Sequence, residues 1–238
     1  MDCRVASGVF ISRRTGDISV HLLVARGGRN LFEVEVPLTG SEVYMGKNRL
    51  EAFSDSVIAV IITIMVLEMK VPHGEGIEIL APVIPVFLSY VLSFVYLGTY
   101  WNNHHHMLHV CHKVTGRMLW ANLHLLFWLS LIPFSTGWMG ENHFASAPSA
   151  LYGVVLLMAA IAYWRLQQQI IASQGPDSIL KKAVGGDWKG KLSPILYAVA
   201  IPVAFWWQWV SLTLYVLVVL LWLIPDRRIE NILRNAET

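Results

Sequence analysis

Six apolar stretches, separated by short polar segments, follow one another along the chain after residue 45. The first covers residues 57–67, and the others cover 77–100, 118–139, 149–166, 192–209 and 211–224. Each of the later five is long enough to cross the hydrocarbon core of a bilayer as a helix. The pattern therefore predicts an all-α, polytopic membrane protein with six transmembrane helices.

The first apolar stretch is shorter and more polar at its ends than the other five. At 1.5 Å per residue it covers only about 16 Å, against a hydrocarbon core of roughly 30 Å. Polar residues flank it on both sides: Arg49, Glu51, Ser54, Asp55, Glu68 and Lys70. Such a helix is costly against lipid but tolerable where protein or water surrounds it. We therefore expect the first helix to be central, with the other five around it.

Composition agrees with a membrane location and excludes several other classes of protein. Of the 238 residues, 55% are hydrophobic and 14% are charged, and the mean hydropathy is +0.52. An average soluble domain has roughly a quarter of its residues charged. Cys3 and Cys111 match no metal-binding spacing, and a net charge of +2 is too small to indicate nucleic-acid binding.

The first 44 residues differ from the rest of the chain. They show β-like alternation with scattered arginines and glycine pairs, and they contain no long apolar core of a signal peptide. Two interpretations stay open: a cytoplasmic tail that is disordered or forms a weak hairpin, or an over-extended start preceding Met45. The sequence thus predicts three regions: an amino-terminal segment of unknown function (1–44), a membrane region of six helices (45–228) and a cytoplasmic tail (229–238).

Lysine and arginine occur in alternate loops. They lie before the first predicted helix, between the second and third, between the fourth and fifth, and after the sixth: Lys47, Arg49, Lys113, Arg117, Lys181, Lys182, Lys189, Lys191, Arg227 and Arg228. The other loops are nearly free of these residues. By the positive-inside rule both termini are predicted to be cytoplasmic in a multi-pass protein of the cell membrane.

Prolines at two positions are expected to distort predicted helices. Pro133 lies in the third and Pro202 in the fifth. A proline removes one backbone hydrogen bond and clashes with the preceding turn, so both positions are predicted to be kinks.

The first helix carries one narrow face of particular interest. At about 100° per residue, Ser56, Val60, Thr63 and Leu67 align on one stripe, with Ile64 at its edge. The stripe is weakly polar near the start, has a hydroxyl in the middle and is apolar towards the end. By itself it is equally an ordinary packing face between helices.

A motif narrows this choice. Arg49, Phe53, Ser54 and Asp55 form R-x-x-x-F-S-D at the start of the first helix, and "YWNNHHHMLH" at the end of the second contains Trp101, His104 and His105. In these motifs, their positions and the count of six helices, the chain resembles the prokaryotic form of the transmembrane-protein-175 family of potassium channels. The resemblance covers about residues 45–228.

The resemblance implies a homotetramer in the lipid bilayer whose central pore, permeant to potassium ions, is lined by four copies of the first helix. It places an apolar constriction at Val60, a hydroxyl ring at Thr63 and an outer apolar ring at Leu67, with Ser56 and Ile64 also in the lining. The chain contains no TVGYG-like carbonyl filter. Valine is smaller than the isoleucine expected at the constriction, so the ring is predicted to be slightly wider.

The motif residues are expected to hold the first helix in register. Arg49 and Asp55 are six positions apart and lie on different faces, so they do not pair along one helix. Each is expected to contact a neighbouring helix, with Asp55 meeting a histidine or tryptophan of the second.

The histidines suggest a rival function. His105, His109 and His112 share one helical face, and His124 lies in the next helix. A redox or hydrolytic membrane enzyme that binds metal or haem is one alternative. The cluster lies at a predicted cytoplasmic end, however, and the family pattern accounts for two of its members. We therefore predict no metal and no cofactor.

A membrane carrier is the other alternative. Carriers commonly show internal repeats and buried charge near the middle of the membrane, and the chain shows neither. It also has no nucleophile motif, phosphate loop or paired carboxylates, so no catalytic residue is predicted. Nucleic acid is not an expected partner.

Overall fold

The computed structural model describes residues 8–14, 17–26, 30–38, 46–111, 113–175, 178, 180–181 and 188–223. The chain divides into two compact units, Met1–Tyr44 and Met45–Thr238. The predicted tail at 229–238 and His112 lie outside the described residues.

The first unit contains an antiparallel sheet of three strands in the order β1-β2-β3. The strands are β1 (Gly8–Arg14), β2 (Asp17–Arg26) and β3 (Asn30–Leu38). The register pairs Ile11 with Val20 and Val20 with Val36. The β-like alternation predicted a hairpin of two strands as one possibility, and the structure has three strands.

The second unit is all-α in its described residues. It contains α1 (Lys47–Leu67), a 3-10 helix (Ile77–Val83), α2 (Ile84–His109), α3 (Gly116–Ser130), α4 (Ile132–Glu141), α5 (Ser146–Gln174), α6 (Trp188–Val203) and α7 (Gln208–Leu223). Four of these stretches are long and apolar enough to span a membrane: α1, the 3-10 helix with α2, α3 with α4, and α5. Helices α6 and α7 have 16 residues each.

Pro133 interrupts the third predicted helix. Helix α3 ends at Ser130, Leu131 forms a turn, and α4 begins at Ile132 with the proline among its first residues. Proline has no N–H to donate to the carbonyl four residues earlier, so the first turn of a new helix is the position that suits it. The predicted kink at Pro133 is confirmed.

Pro202 ends a helix instead of kinking it. The prediction of one helix over 192–209 was wrong, because α6 stops at Val203 and the chain turns before α7 begins at Gln208. Within the turn the Phe205 N–H donates to the carbonyl of Pro202 at 3.1 Å, three residues back, which marks a tightened last turn. The sixth helix therefore starts earlier than residue 211.

Two helices of the bundle, α5 and α1, each pack against several neighbours. Helix α5 packs against α3, α4, α6 and α7, while α1 packs against α2, α3 and α4. Helices α2 and α4 approach closely at Gly140, where a Cβ atom would lie 2.7 Å from the Cα of Val86. A glycine at this point is what permits the two backbones to approach.

Tyrosine hydroxyls join α2, α5, α6 and α7 in the interior. The Tyr96 hydroxyl donates to the Tyr215 carbonyl at 2.5 Å, and the Tyr197 hydroxyl donates to that of Tyr96 at 3.3 Å. The Tyr152 hydroxyl lies 3.0 Å from Ser93 Oγ. Buried hydroxyls need such partners, and in lipid these bonds act as attachments between helices.

Candidate functional site

Helix α1 has one face buried within the subunit. Leu50, Ser54, Ile58, Ile61 and Met65 are all at most 4% exposed and contact the side formed by α2, α3 and α4. Their spacing of three and four residues places them on one stripe of the helix. The remaining circumference of α1 is not covered by the described residues of its own subunit.

The predicted stripe lies on that opposite side. Val60 is 54% exposed, Ile64 41% and Leu67 78%, and Ser56 and Thr63 are also exposed. We call these five residues the free face of α1. Val57, next to it, is half-buried and packs against the core. The structure thus brings all five predicted lining residues onto one surface, and it leaves that surface uncovered by the subunit's described residues.

Both hydroxyls of the free face donate to their own helix. Ser56 Oγ donates to the Ala52 carbonyl at 2.7 Å, and Thr63 Oγ1 donates to the Val60 carbonyl at 2.9 Å. A hydroxyl has one hydrogen and two acceptor lone pairs. With the hydrogen used by the backbone, each oxygen presents lone pairs to the exposed side, where they suit a cation.

A groove lies between α1 and the α3–α4 segment, and part of the free face contributes to its wall. Its volume is about 760 Å³. Phe53, Val60 and Ile64 line one wall, and Phe134 and Trp138 line the other. Most of this lining is aromatic or aliphatic, so the groove suits apolar side chains.

The end of the groove near the C-terminus of α1 is acidic. Glu68 and Glu141 line it, and Glu68 lies against Gly137, where a Cβ would be 3.5 Å from the Glu68 Oε2 atom. Lys70 Nζ pairs with Glu141 Oε1 at 2.8 Å. The hydrogen bond and the charge of Glu141 raise the pKa of Lys70.

A buried polar network holds the other face of α1. Asn122 Nδ2 of α3 donates to Ser54 Oγ at 2.9 Å, and Ser54 Oγ donates to the Leu50 carbonyl at 2.9 Å. His104 Nε2 of α2 lies 2.8 Å from Asn122 Oδ1. Because an amide oxygen only accepts, the Nε2 atom of His104 carries the hydrogen. This network, which we call the Asn122 network, connects three helices at full burial.

Two further contacts attach α1 to α2. Trp101 Nε1 donates to Asp55 Oδ1 at 3.0 Å, and His105 Nδ1 lies 2.8 Å from Glu51 Oε1. The rings of Trp101 and His105 stack with centroids 6.2 Å apart. The sequence offered a histidine or a tryptophan as partner of Asp55, and the structure gives the tryptophan.

Arg49 and Phe53 differ from the other motif residues. Both are exposed, and the described residues offer Arg49 no hydrogen bond or ion pair. The expected attachment of Arg49 to a neighbouring helix of the same subunit is therefore not seen in the described part of the chain. Phe53 lines the groove.

The histidines at the end of α2 have structural partners. His105 and His109 stack with centroids 6.3 Å apart, and the Lys47 ammonium donates to the His109 carbonyl at 2.5 Å. His124 Nε2 accepts a hydrogen bond from Trp128 Nε1 at 3.0 Å. Among the described residues, no three His, Cys, Asp or Glu side chains are placed to hold a metal ion.

Asn122 is the site residue that sequence reasoning missed. It lies in the apolar segment "MLWANLHLLFW", and an amide there is itself a signal, because a polar side chain inside a membrane helix needs a partner. Its partner Ser54 is 68 positions away, so only the fold reveals the contact.

A protein-family model matches the part of the chain that contains the motif. The family model described as "Endosomal/lysosomal potassium channel TMEM175" matches residues 49–133. This range contains the free face of α1, the Asn122 network and the Asp55–Trp101 contact.

Individual proteins match over larger parts of the chain. A potassium channel of Chryseobacterium sp. (strain P1-3) is 53% identical over 191 residues, which are 80% of this chain and 100% of that protein. The endosomal/lysosomal proton channel TMEM175 of Gallus gallus is 32% identical over 103 residues, covering 38% of this chain and 21% of its own.

A solved structure has the same architecture. The crystal structure of a lysosomal potassium-selective channel TMEM175 homolog from Chamaesiphon minutus superposes with a TM-score of 0.62 at 26% identity. The match covers 76% of this chain and 97% of the other.

Proposed function

This chain belongs to the TMEM175 family of ion channels, and from that premise we propose that it is a potassium channel assembled from four identical subunits around α1. The observation that carries the proposal is the free face of α1. It is a mid-helix surface with hydroxyl oxygens that the described residues of the subunit leave uncovered. The protein is a channel and not an enzyme.

In a ring of four subunits, the free face of each α1 lies at the centre of the ring. In a cyclic tetramer the same surface of each subunit points at the symmetry axis, and each subunit contacts the next through two different surfaces. Four free faces then enclose the pore. The groove between α1 and α3–α4, with its aromatic wall, receives apolar side chains from the adjacent subunit.

The order of residues along the free face determines the order of rings along the pore. At 1.5 Å per residue, Val60 lies about 4.5 Å from Thr63, which lies about 6 Å from Leu67. Val60 forms the apolar constriction and Leu67 the outer apolar ring. Neither replaces the hydration water of an ion, so passage requires a wetted bore or partial dehydration.

The Thr63 ring favours cations over anions. Its hydroxyl hydrogens are donated to the Val60 carbonyls, so four sets of oxygen lone pairs face the axis. An anion approaching the ring meets no donor. Ser56 repeats this arrangement two turns earlier, and Ile64 lies at the side of the bore.

The motif residues act by fixing α1. The Asn122 network, the Asp55–Trp101 hydrogen bond and the Glu51–His105 pair attach one face of α1 to α2 and α3. A helix attached this way presents the same side chains to the axis in every subunit. Arg49, exposed at the start of α1, is placed to contact an adjacent subunit.

We extend the proposal to topology. Residues 45–228 form the channel with six transmembrane helices, in which α6 and α7 supply the last two spans, and both termini are cytoplasmic. Residues 1–44 lie before the channel. The positive charges of alternate loops support this orientation.

Labelling of introduced cysteines tests the orientation. In a background with Cys3→Ser and Cys111→Ser, cysteines at Gly74 and Asn142 are expected to react with a membrane-impermeant maleimide added outside cells, and a cysteine at Lys113 only after permeabilisation. Accessibility of position 113 in intact cells, with protection of 74 and 142, is incompatible with the proposed orientation.

Recording from purified protein in liposomes tests the function. We expect a particle with the mass of four subunits and a cation current whose reversal potential under potassium–sodium bi-ionic conditions is displaced from zero in the direction of potassium preference. A pH gradient applied in the same bilayers measures proton permeation separately. A monomeric particle, or flux that requires a counter-transported ion, refutes the channel proposal.

A further inference from the structure

A second cavity lies inside the subunit, away from the free face of α1. It is enclosed by α2, α5, α6 and α7, and its volume is about 300 Å³. No residue of α1 is among the described residues that line it. It lies at the end of the bundle where α2 and α5 finish and α6 begins, which is the end carrying the positive loops.

Aromatic rings form the body of the cavity wall. Tyr100, Tyr163 and Trp222 contact one another in series, with centroid distances of 6.1 Å and 6.5 Å. Tyr197 and Trp164 complete the set, and Trp164 is exposed at the opening. A wall of this composition buries an apolar group.

Two neutral donors on the wall have no hydrogen-bond partner among the described residues. Gln167 is only 7% exposed, yet its amide makes no hydrogen bond to the described residues. The hydroxyl of Tyr100 has no partner among them either. By contrast, Trp222 Nε1 on the same wall donates to Ser193 Oγ at 2.8 Å. Both residues line the cavity, so a ligand with acceptor oxygens that lies there can accept their hydrogens.

The described part of the cavity lining carries positive charge. Lys181 and Lys191 line it, and neither ammonium forms an ion pair within the described part of the chain. The described lining residues include no aspartate or glutamate. Two ammonium groups, an amide and a hydroxyl are all hydrogen-bond donors, and two of them carry positive charge, so together they suit the anionic oxygens of a phosphate group.

We propose that this cavity binds an anionic phosphate ester with an apolar body. The phosphate lies between Lys181 and Lys191 and accepts hydrogen bonds from Gln167 and Tyr100, while the body lies among the aromatic rings. The anionic phospholipids of the cytoplasmic leaflet combine both features at this level of the membrane. A soluble phosphate ester shares the head-group chemistry and differs in lacking the body.

Native mass spectrometry of the full chain in detergent tests the proposal. The probes are dioleoyl phosphatidylglycerol, dioleoyl phosphatidylcholine with the same acyl chains, and sn-glycerol 3-phosphate. We expect one phosphatidylglycerol per subunit, bound about tenfold more tightly than phosphatidylcholine, which is the size of one charge-assisted hydrogen bond. Glycerol 3-phosphate is expected to bind more weakly than phosphatidylglycerol.

Variants locate the binding. The double variant Lys181→Gln/Lys191→Gln is expected to weaken phosphatidylglycerol binding by at least about tenfold. The matched control Lys113→Gln/Arg117→Gln removes two exposed charges at the same end of the bundle, outside the cavity, and is expected to leave binding unchanged. Gln167→Leu keeps the charge and the approximate volume and is expected to weaken binding severalfold.

Each outcome has a defined meaning. Glycerol 3-phosphate binding as tightly as phosphatidylglycerol overturns the apolar body of the proposed ligand, even where the lysine variant loses binding. Equal affinity for the two lipids, equal loss in both double variants, or no binding of any probe overturns the proposal. Since the binding is measured without ion flux, these outcomes are independent of the proposed channel function.

Discussion

Liposomes carrying the Val60→Asn variant are expected to take up potassium about tenfold faster than liposomes carrying the natural chain, a change that corresponds to a barrier lower by about 1.4 kcal/mol. Val60 is 54% exposed on the free face of α1, and four isopropyl groups offer no hydrogen bond to water or an ion. Four amides do, so the ring becomes wet. The measurement is potassium-driven flux at equal protein content, with tetramer mass checked beforehand.

Two further variants test whether the effect on flux is specific to position 60. Val60→Phe is expected to abolish flux, because four phenyl rings close the bore. Val57→Asn is the matched control, since Val57 points about 60° away from Val60 and is half-buried against the core. Similar flux for Val60→Asn and Val57→Asn at equal assembly means that the free face is a packing surface and that ions pass elsewhere.

The Asn122→Leu variant is expected to lose about 1–3 kcal/mol of stability per subunit. Leucine removes the acceptor of His104 Nε2 at a fully buried position, so the donor there has no partner. Ser54 keeps its own bond to the Leu50 carbonyl. The change is measured as the midpoint of thermal unfolding and as the yield of tetramer in mild detergent.

The double variant His104→Leu/Asn122→Leu tests whether the stability lost in Asn122→Leu comes from the unpaired donor on His104. Replacing both partners by apolar groups removes the unsatisfied donor, so most of the lost stability is expected to return. Asn102→Leu, an exposed asparagine on α2, is the matched control and is expected to be near neutral. A double variant that is less stable than Asn122→Leu alone contradicts this account of the network.

Local sequence signals were sufficient to predict which residues of α1 share the free face. Its stripe follows from helical period alone, and the structure places Ser56, Val60, Thr63, Ile64 and Leu67 together on the uncovered side. A partner for Asp55 on the second helix followed from the motif, because an acidic side chain in an apolar setting needs a donor. The break at Pro133 followed from the missing N–H.

Contacts between distant parts of the chain were not predictable in this way. Nothing local indicates that Asn122 meets Ser54 and His104, or that Tyr96 reaches the Tyr215 carbonyl 119 positions away. Helix ends near Pro202 were also missed, since a proline in an apolar run is compatible with either a kink or a termination. The packing of neighbouring helices decides between them. The aromatic cavity between α2 and α5–α7 likewise exists only in three dimensions.

The inward hydrogen bonds of Ser56 and Thr63 have a consequence for the biogenesis of the protein. In the proposed tetramer, a newly inserted subunit resides in the bilayer before it meets the other three, and the surface assigned to the pore is then turned towards acyl chains. Because both hydroxyl hydrogens are already bonded to carbonyls of the same helix, this surface carries no unsatisfied donor. Insertion and oligomerisation are thereby separable events, and a monomer waiting in the membrane needs no chaperone to cover the middle of α1.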